Sequence, residues 1–208
     1  MSRKYRDPFI QGGYYHIYNK VISETILFRD DSDYQDFLIR YKKYFGHYFY
    51  TIAYCLIPNH FHFLVKVRDS FDDHISSENT NASKKYLNDQ EPLNFFLENQ
   101  LSRMFSGVSL RYNKKYNRTG PLFKEGIKRV QLIEEHRILY QLCYIHHNPI
   151  HHGLINDYTQ WEYSSYNSFL LSSVSNETIS KHRDWIGGKE AFIRLHQDFE
   201  HKKDVDNI

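Results

Sequence analysis

Two histidines separated by one residue, His60 and His62, have the spacing of a shared cation site. Side chains alternate along an extended strand, so positions i and i+2 project from one face and can reach one metal ion. The Pro58-Asn59 turn just before them restricts where such an ion can sit. Imidazole suits zinc, manganese, iron and similar ions, so the pair alone does not name the metal. The spacing fits two structural histidines on a wet strand face equally well.

A second constellation lies between Tyr140 and Pro149. On a helix, Ile138, Leu142 and Ile145 form an apolar stripe, while Tyr144 and Asn148, four residues apart, stack on another face with Gln141 and Arg137. A phenol and a carboxamide then project side by side, and a carboxamide oxygen is a hard donor able to complete a metal site. Pro149 is expected to end this helix abruptly. The plainer alternative makes Tyr144 an amphipathic interface residue and Asn148 a helix terminator.

Basic residues concentrate between Arg103 and Val130: Arg103, Arg111, Lys114, Lys115, Arg118, Lys124, Lys128 and Arg129, against the single acidic Glu125. Tyr112, Tyr116 and Phe123 interleave with them, a pattern suited to phosphates plus stacked bases and also to a solvated basic helix face. Arg3, Lys4 and Arg6 offer a second basic grip beside the first strand. Tyr112 and Tyr116 are rival nucleophiles by chemistry, but neither has a carboxamide four residues on.

The elements that must position these groups are legible in outline. Tyr14 to Lys20 reads as a strand; Asp31 and Ser32 offer caps for a helix carrying Tyr34, Phe37, Leu38, Tyr41 and Phe45 up to Gly46. Tyr50 to Ile57 and His60 to Val67 form a hairpin, with Phe61, Phe63, Val65 and Val67 on one face and His60, His62, Leu64 and Lys66 on the other. Residues 69–91 are polar and read as a loop insertion with a helical turn near Lys84 to Leu87. Pro92 starts a long helix to about Lys115; a short strand near Ile127 to Leu132 and a helix from about Glu134 to His147 follow. This order predicts an α+β fold: a ferredoxin-like antiparallel β-α-β-β-α-β sheet with helices on one face, plus an added tyrosine-bearing helix. Residues 1–170 form the expected catalytic domain. Residues 171–208 form a C-terminal extension with no functional signal.

Bulk composition excludes little. The net charge is +2, and aromatic residues make up 17% of the chain, enough to supply both a core and a binding surface. Cys55 and Cys143 lack metal or redox spacing and read as reduced core thiols. No apolar run approaches ~18 residues, so no membrane helix is expected, and the N-terminus lacks the apolar core of a secretory signal. The expectation is a soluble, cytoplasmic protein.

The segment from Ala53 to Val65, centred on Pro58-Asn59-His60-Phe61-His62, resembles the two-histidine signature of single-tyrosine HUH transposases. Within that superfamily the chain is most similar to the REP-associated tyrosine transposases. Tyr144 to Ile155 is similar to their tyrosine helix and following turn, and the segments 117–123 and 161–166 to further family motifs. The resemblance spans roughly residues 10 to 170.

It implies that His60 and His62 ligate a metal and that Tyr144 is the nucleophile; a mixed histidine and carboxamide site suits Mg²⁺ or Mn²⁺, while histidine ligation alone also suits Zn²⁺. Asn148 falls where insertion-sequence relatives place a third ligand, usually Gln. The implied reaction is attack by the tyrosine oxygen on a backbone phosphorus of single-stranded, hairpin-associated DNA, giving a 5′-phosphotyrosine and a free 3′-hydroxyl. An isolated tyrosine, with a pKa of ~10, is a poor nucleophile at neutral pH, so help from a metal is expected. The implied assembly is a monomer or a homodimer. Two rivals remain at this level: a non-cutting DNA or RNA hairpin-binding protein descended from such an enzyme, and a hydrolase that activates water through His146, His147, His151 and His152.

Overall fold

A computed structural model describes residues 6–22, 25–78, 80–123, 126–171 and 177–199. The tight turn at Pro58-Asn59 folds β2 (Phe49–Ile57) back onto β3 (His60–Val67), with Ile57 opposite His60 and Cys55 opposite His62. Strand β1 (Tyr14–Lys20) lies antiparallel on the other side of β3, pairing Lys20 with His60 and Tyr18 with His62. Strand β4 (Lys128–Leu132) pairs with β1, placing Lys128 opposite Tyr18. The sheet order is β2-β3-β1-β4 with every pairing antiparallel, the arrangement expected of the ferredoxin-like pattern.

Strand alternation sends two different cores to the two faces. Tyr15 and Ile17 of β1 and Phe61, Phe63, Val65 and Val67 of β3 pack beneath α1 (Asp31–Phe45) and α4 (Leu93–Lys115). Aromatic rings dominate this layer: Tyr41 stacks on Phe63 with centroids 4.0 Å apart, and Phe37 sits 5.1 Å from Phe61. Much of the aromatic content is therefore core. The opposite face, with Ala53, Cys55, Ile57 and Leu64, is covered by α5 (Glu135–His151) through Ile138, Leu142, Cys143 and Ile145. The tyrosine-bearing helix thus lies across the sheet from α1 and α4, on the histidine side. Cys55 and Cys143 are free and buried.

Several boundaries differ from expectation for identifiable reasons. Helix α1 is capped by Asp30, whose carboxylate accepts from the Asp33 N–H at 3.2 Å, not by Asp31 or Ser32. Helix α5 does not stop before Pro149 but runs on to His151. The proline lacks the N–H that would bond the Ile145 carbonyl, yet bonding resumes with the His152 N–H to the Asn148 carbonyl at 3.0 Å. The chain leaves the helix at Gly153, whose φ of 67° suits a residue without Cβ.

Residues 69–91 are not simply a loop. They hold α2 (Asp72–Ser77) and α3 (Asn81–Leu87), the latter started by a Thr80–Ser83 capping box. Apolar residues are few there, but Phe71 and Ile75 lie four apart and are both buried in the first core.

After a 3₁₀ turn (Tyr158–Gln160), residues 163–165 bond along the outer edge of β2. The Leu56 N–H donates to the Tyr163 carbonyl at 2.9 Å, and the Ser165 N–H to that of Tyr54 at 3.0 Å. Helices α6 (Tyr166–Leu170), α7 (Glu177–Ile186) and α8 (Lys189–Gln197) follow. Phe169 and Phe192 stack at 4.6 Å inside the second core, so α8 of the extension helps to bury α5. Among the described residues no helix is long and apolar enough to cross a membrane.

Candidate active site

The site is built where β3 and α5 meet. The Pro58 carbonyl accepts the N–H groups of Leu27 and Phe28 at 2.7 and 3.1 Å, and the Asn59 carbonyl accepts that of Val21 at 3.1 Å. These bonds fix the turn that launches His60. The His60 and His62 rings lie 5.0 Å apart, nearly perpendicular, and both are buried.

Helix α5 brings its phenol and carboxamide to this pair. Asn148 is buried, with its Oδ1 3.1 Å from His60 Nε2 and its Nδ2 donating to the Tyr144 carbonyl at 3.0 Å. The half-buried Tyr144 ring stands edge-on to His62 with centroids 5.6 Å apart. The helix therefore unites the residues singled out by spacing: His60, His62, Tyr144 and Asn148 form one cluster. Asn148 is no terminator; it sits inside the helix and faces a histidine.

Each histidine is held from behind. His60 Nδ1 lies 2.7 Å from Asn59 Oδ1, and His62 Nδ1 lies 2.8 Å from Nε2 of His16 on β1. This leaves both Nε2 atoms on the side of the cluster, and that of His62 is buried with no hydrogen bond. Burial pushes His60 down to about 4, opposed by its contact with Asn148 and aided by the charges of His152, Lys20 and His151. His62 is driven well below its ordinary range by burial and by its histidine neighbours, and His16 is pushed by burial to about 3. All three rings are therefore neutral near pH 7, and neutral imidazole is the form that binds metal.

Among the described residues no group of three His, Cys, Asp or Glu side chains is arranged to hold a metal ion. The Asn148 carboxamide is a further donor beside the histidine pair. Two neutral imidazole nitrogens, one of them an orphan, and an amide oxygen turned toward that of His60 form a donor set that fits a divalent ion. Around this set, the register places Lys20 and Lys128 on the same sheet face as His60, Tyr18 and His62.

His16 and Lys20 were not singled out by the sequence reading. The available signal was the period-2 run His16, Tyr18, Lys20 on β1, which shares the histidine face.

The basic stretch divides differently from expectation. Arg129 is buried, paired with Glu98 at 2.5 Å and seated over the Phe9 ring, so it is a structural cation. Lys115 reaches Asp30 and Asp33 at 3.0 and 2.7 Å, Arg111 pairs with Asp36 at 2.9 Å, and Arg103 lies 3.5 Å from Glu78. Arg118 donates to the Pro121 carbonyl at 2.8 Å, whereas Lys114 is exposed. Helix α4 lies on the far side of the sheet, so these residues do not join the histidine cluster; Lys128 alone among the described ones shares its face. Lys124, Arg3 and Lys4 lie outside the described residues.

Tyr112 is buried and donates to the Ile26 carbonyl at 2.7 Å, while Tyr116 donates to Asp33 at 2.6 Å, which occupies both rival phenols. An open groove of about 760 Å³ beside α4 is lined by Arg6, Phe105, Ser106, Asn113 and Phe123, across the sheet from the histidines.

The four-histidine alternative does not assemble. His146 is buried among His196 and Ser165 and His147 meets Tyr158, whereas the exposed His152 lies with its ring 4.9 Å from that of His60 and His151 is beside it.

No protein-family model matches the chain. It is 25% identical over 200 residues to a curated Haemophilus influenzae protein whose name assigns it provisionally to the REP-associated tyrosine transposases. That match covers 91% of this chain and 97% of the relative. A solved structure of a REP-associated tyrosine transposase bound to a REP hairpin superposes with a TM-score of 0.57 at 14% identity, covering 84% of this chain and 88% of that one. The resemblance to REP-associated tyrosine transposases therefore extends over nearly the whole chain, and the solved structure shares its fold.

Proposed function

We propose that this chain is a metal-dependent tyrosine transposase that cuts and rejoins hairpin-associated single-stranded DNA, with Tyr144 as nucleophile and His60, His62 and Asn148 as ligands of Mg²⁺ or Mn²⁺. The observation that carries the reading is the convergence of α5 on the histidine pair: Asn148 Oδ1 lies 3.1 Å from His60 Nε2, and Tyr144 stands against His62. The full-length likeness to a protein named for this activity supports it, as does the shared fold of a transposase bound to a REP hairpin.

In the proposed reaction the Tyr144 oxygen forms a bond to the scissile phosphorus as the P–O3′ bond breaks. The phenol loses its proton and the departing 3′ oxygen gains one. The products are a 5′-phosphotyrosine and a free 3′-hydroxyl, and attack by a 3′-hydroxyl in the reverse sense reseals the strand without ATP. A bound divalent ion supplies polarisation and partial neutralisation of the phosphate oxygens. The protein's own groups do the positioning. Helix α5 carries nucleophile and carboxamide one turn apart, β3 presents two imidazoles held from behind, and Lys20 and Lys128 place positive charge on the face that the phosphate approaches.

The test is incubation of the full chain with end-labelled single-stranded DNA containing a hairpin, in Mn²⁺ or in EDTA. We expect a denaturation-resistant protein–DNA adduct in Mn²⁺ that disappears in Tyr144→Phe. Cleavage without an adduct overturns the tyrosine mechanism in favour of hydrolysis, and binding without cleavage favours a hairpin-recognition module.

A further inference from the structure

Behind His62 stands another histidine. His16 Nε2 lies 2.8 Å from His62 Nδ1, with the two rings nearly parallel and both side chains buried. One proton occupies the line between these nitrogens, and its owner decides what the far side of His62 can do. If His16 carries it, His62 must hold its own proton on Nε2, where it makes no hydrogen bond. That arrangement leaves a buried N–H without an acceptor and closes the nitrogen to a metal. If His62 carries it on Nδ1, His16 is the acceptor and the inward Nε2 presents a bare lone pair.

We propose that His16 is a positioning residue that holds His62 in the Nδ1–H tautomer, so that Nε2 is preset as a ligand. The inference rests on the proposed metal site only for its purpose; the tautomer itself is a property of the metal-free chain. The usual acceptor behind a metal-bound histidine is a carboxylate, a backbone carbonyl or water. A neutral imidazole acting as acceptor orients the ring and adds no negative charge, which suits a site that must admit a phosphodiester. The adjacent His60 lies between two side-chain oxygens, with Nδ1 2.7 Å from Asn59 Oδ1 and Nε2 3.1 Å from Asn148 Oδ1. Strand pairing places His16 for this role: Tyr18 of β1 is the direct partner of His62, and His16 is the next residue on that face.

The experiment reads tautomer and affinity separately on the full chain. Imidazole ¹⁵N–¹H correlation spectra of the metal-free protein at neutral pH report which nitrogen of His62 is protonated, with its signals assigned by their loss in His62→Gln. We expect Nδ1–H in the parent, a mixture or the opposite tautomer in His16→Phe, and restoration in His16→Gln, whose amide oxygen can accept. Mn²⁺ binding, followed by the paramagnetic resonance of the free ion, should weaken about 10–100-fold in His16→Phe and recover in part in His16→Gln. A parent His62 protonated on Nε2 overturns the proposal, as does a His16→Phe protein with unchanged tautomer and unchanged affinity. If the parent binds no Mn²⁺ while His62 is found as Nδ1–H, the metal reading fails and the tautomer assignment stands. Should His16→Phe not fold, the parent spectrum and His16→Gln still decide.

Discussion

The carboxamide of Asn148 is held at both ends: its Nδ2 donates to the Tyr144 carbonyl at 3.0 Å, and its Oδ1 faces His60 Nε2 at 3.1 Å. The bond to the helix backbone fixes which end points where, so the oxygen, not the nitrogen, is turned to the histidine. A prediction follows directly. Asn148→Leu keeps similar volume but removes the oxygen, and should lower Mn²⁺ affinity by at least the roughly 10–100-fold that loss of an outer-shell partner costs. Asn148→Asp retains an oxygen and should bind Mn²⁺ at least as tightly as the parent. Calorimetric titration of both variants checks this; equal affinity of the parent and Asn148→Leu removes Asn148 from the ligand set.

Tyr112 supplies the control for the nucleophile. Its hydroxyl is committed to the Ile26 carbonyl at 2.7 Å on the far side of the sheet. Tyr112→Phe should therefore cost stability and not chemistry. We expect a loss of about 1 kcal/mol for one buried hydrogen bond, roughly 2–4 °C in melting temperature, with adduct yield unchanged. Loss of the adduct in this variant, with Tyr144→Phe still active, would move the nucleophile to α4.

The hairpin and its histidines were legible because their signals are local. Alternation over His60 to Val67 fixes which residues share a face, and the Pro-Asn turn fixes where the strand begins. The union of that face with Tyr144 was not legible from period alone, since nothing in a helix's own spacing says which side of a sheet it covers. It needed the resemblance, and the packing of Leu142 and Ile145 in the core that also holds Leu64 agrees with it. Two other readings went astray for definite reasons. Charge counting could not separate Lys114, which is exposed, from Arg129, whose partner Glu98 lies 31 residues away in sequence. Composition over residues 69–91 averaged away Phe71 and Ile75, whose burial organises α2. His16 was missed because its role depends on a strand partner 46 residues distant.

Arg129 yields a prediction of opposite kind to Lys114. Its guanidinium is buried between Glu98, Asn94 and the Asp7 carbonyl. Removing one member of a buried ion pair costs roughly 3–5 kcal/mol, and partial exposure of Glu98 places this case at or below the lower end. Arg129→Met should therefore unfold at clearly lower urea concentration than the parent. Lys114→Ala should leave the urea midpoint unchanged within error, and any effect on DNA affinity should diminish as salt rises. Equal stability of Arg129→Met and the parent would return Arg129 to the candidate DNA surface.

The docking of α8 makes the fold sensitive to acid. His196 Nδ1 donates to the Phe192 carbonyl at 2.8 Å while its Nε2 meets His146 Nδ1 at 2.8 Å; His146 Nε2 in turn meets Ser165 Oγ at 2.8 Å. This chain of bonds runs from α8 through α5 to the segment that covers β2, and burial disfavours a charge on its rings. Burial pushes His196 down to about 4 and His146 well below its ordinary range. In the unfolded chain a histidine titrates near ~6.5, so between that pH and the folded value the unfolded state binds more protons. Stability is therefore fully present above about pH 6.5 and falls as pH drops toward about 4, by about 3 kcal/mol from His196 taken alone. The other buried histidines tilt the curve the same way, so the informative quantity is a difference. Urea unfolding of the parent and of His196→Gln in EDTA, at a series of pH values from 7.5 down to 4.5, should give a shallower pH slope for the variant. Parallel slopes for the two proteins would show that His196 is not held neutral by the fold.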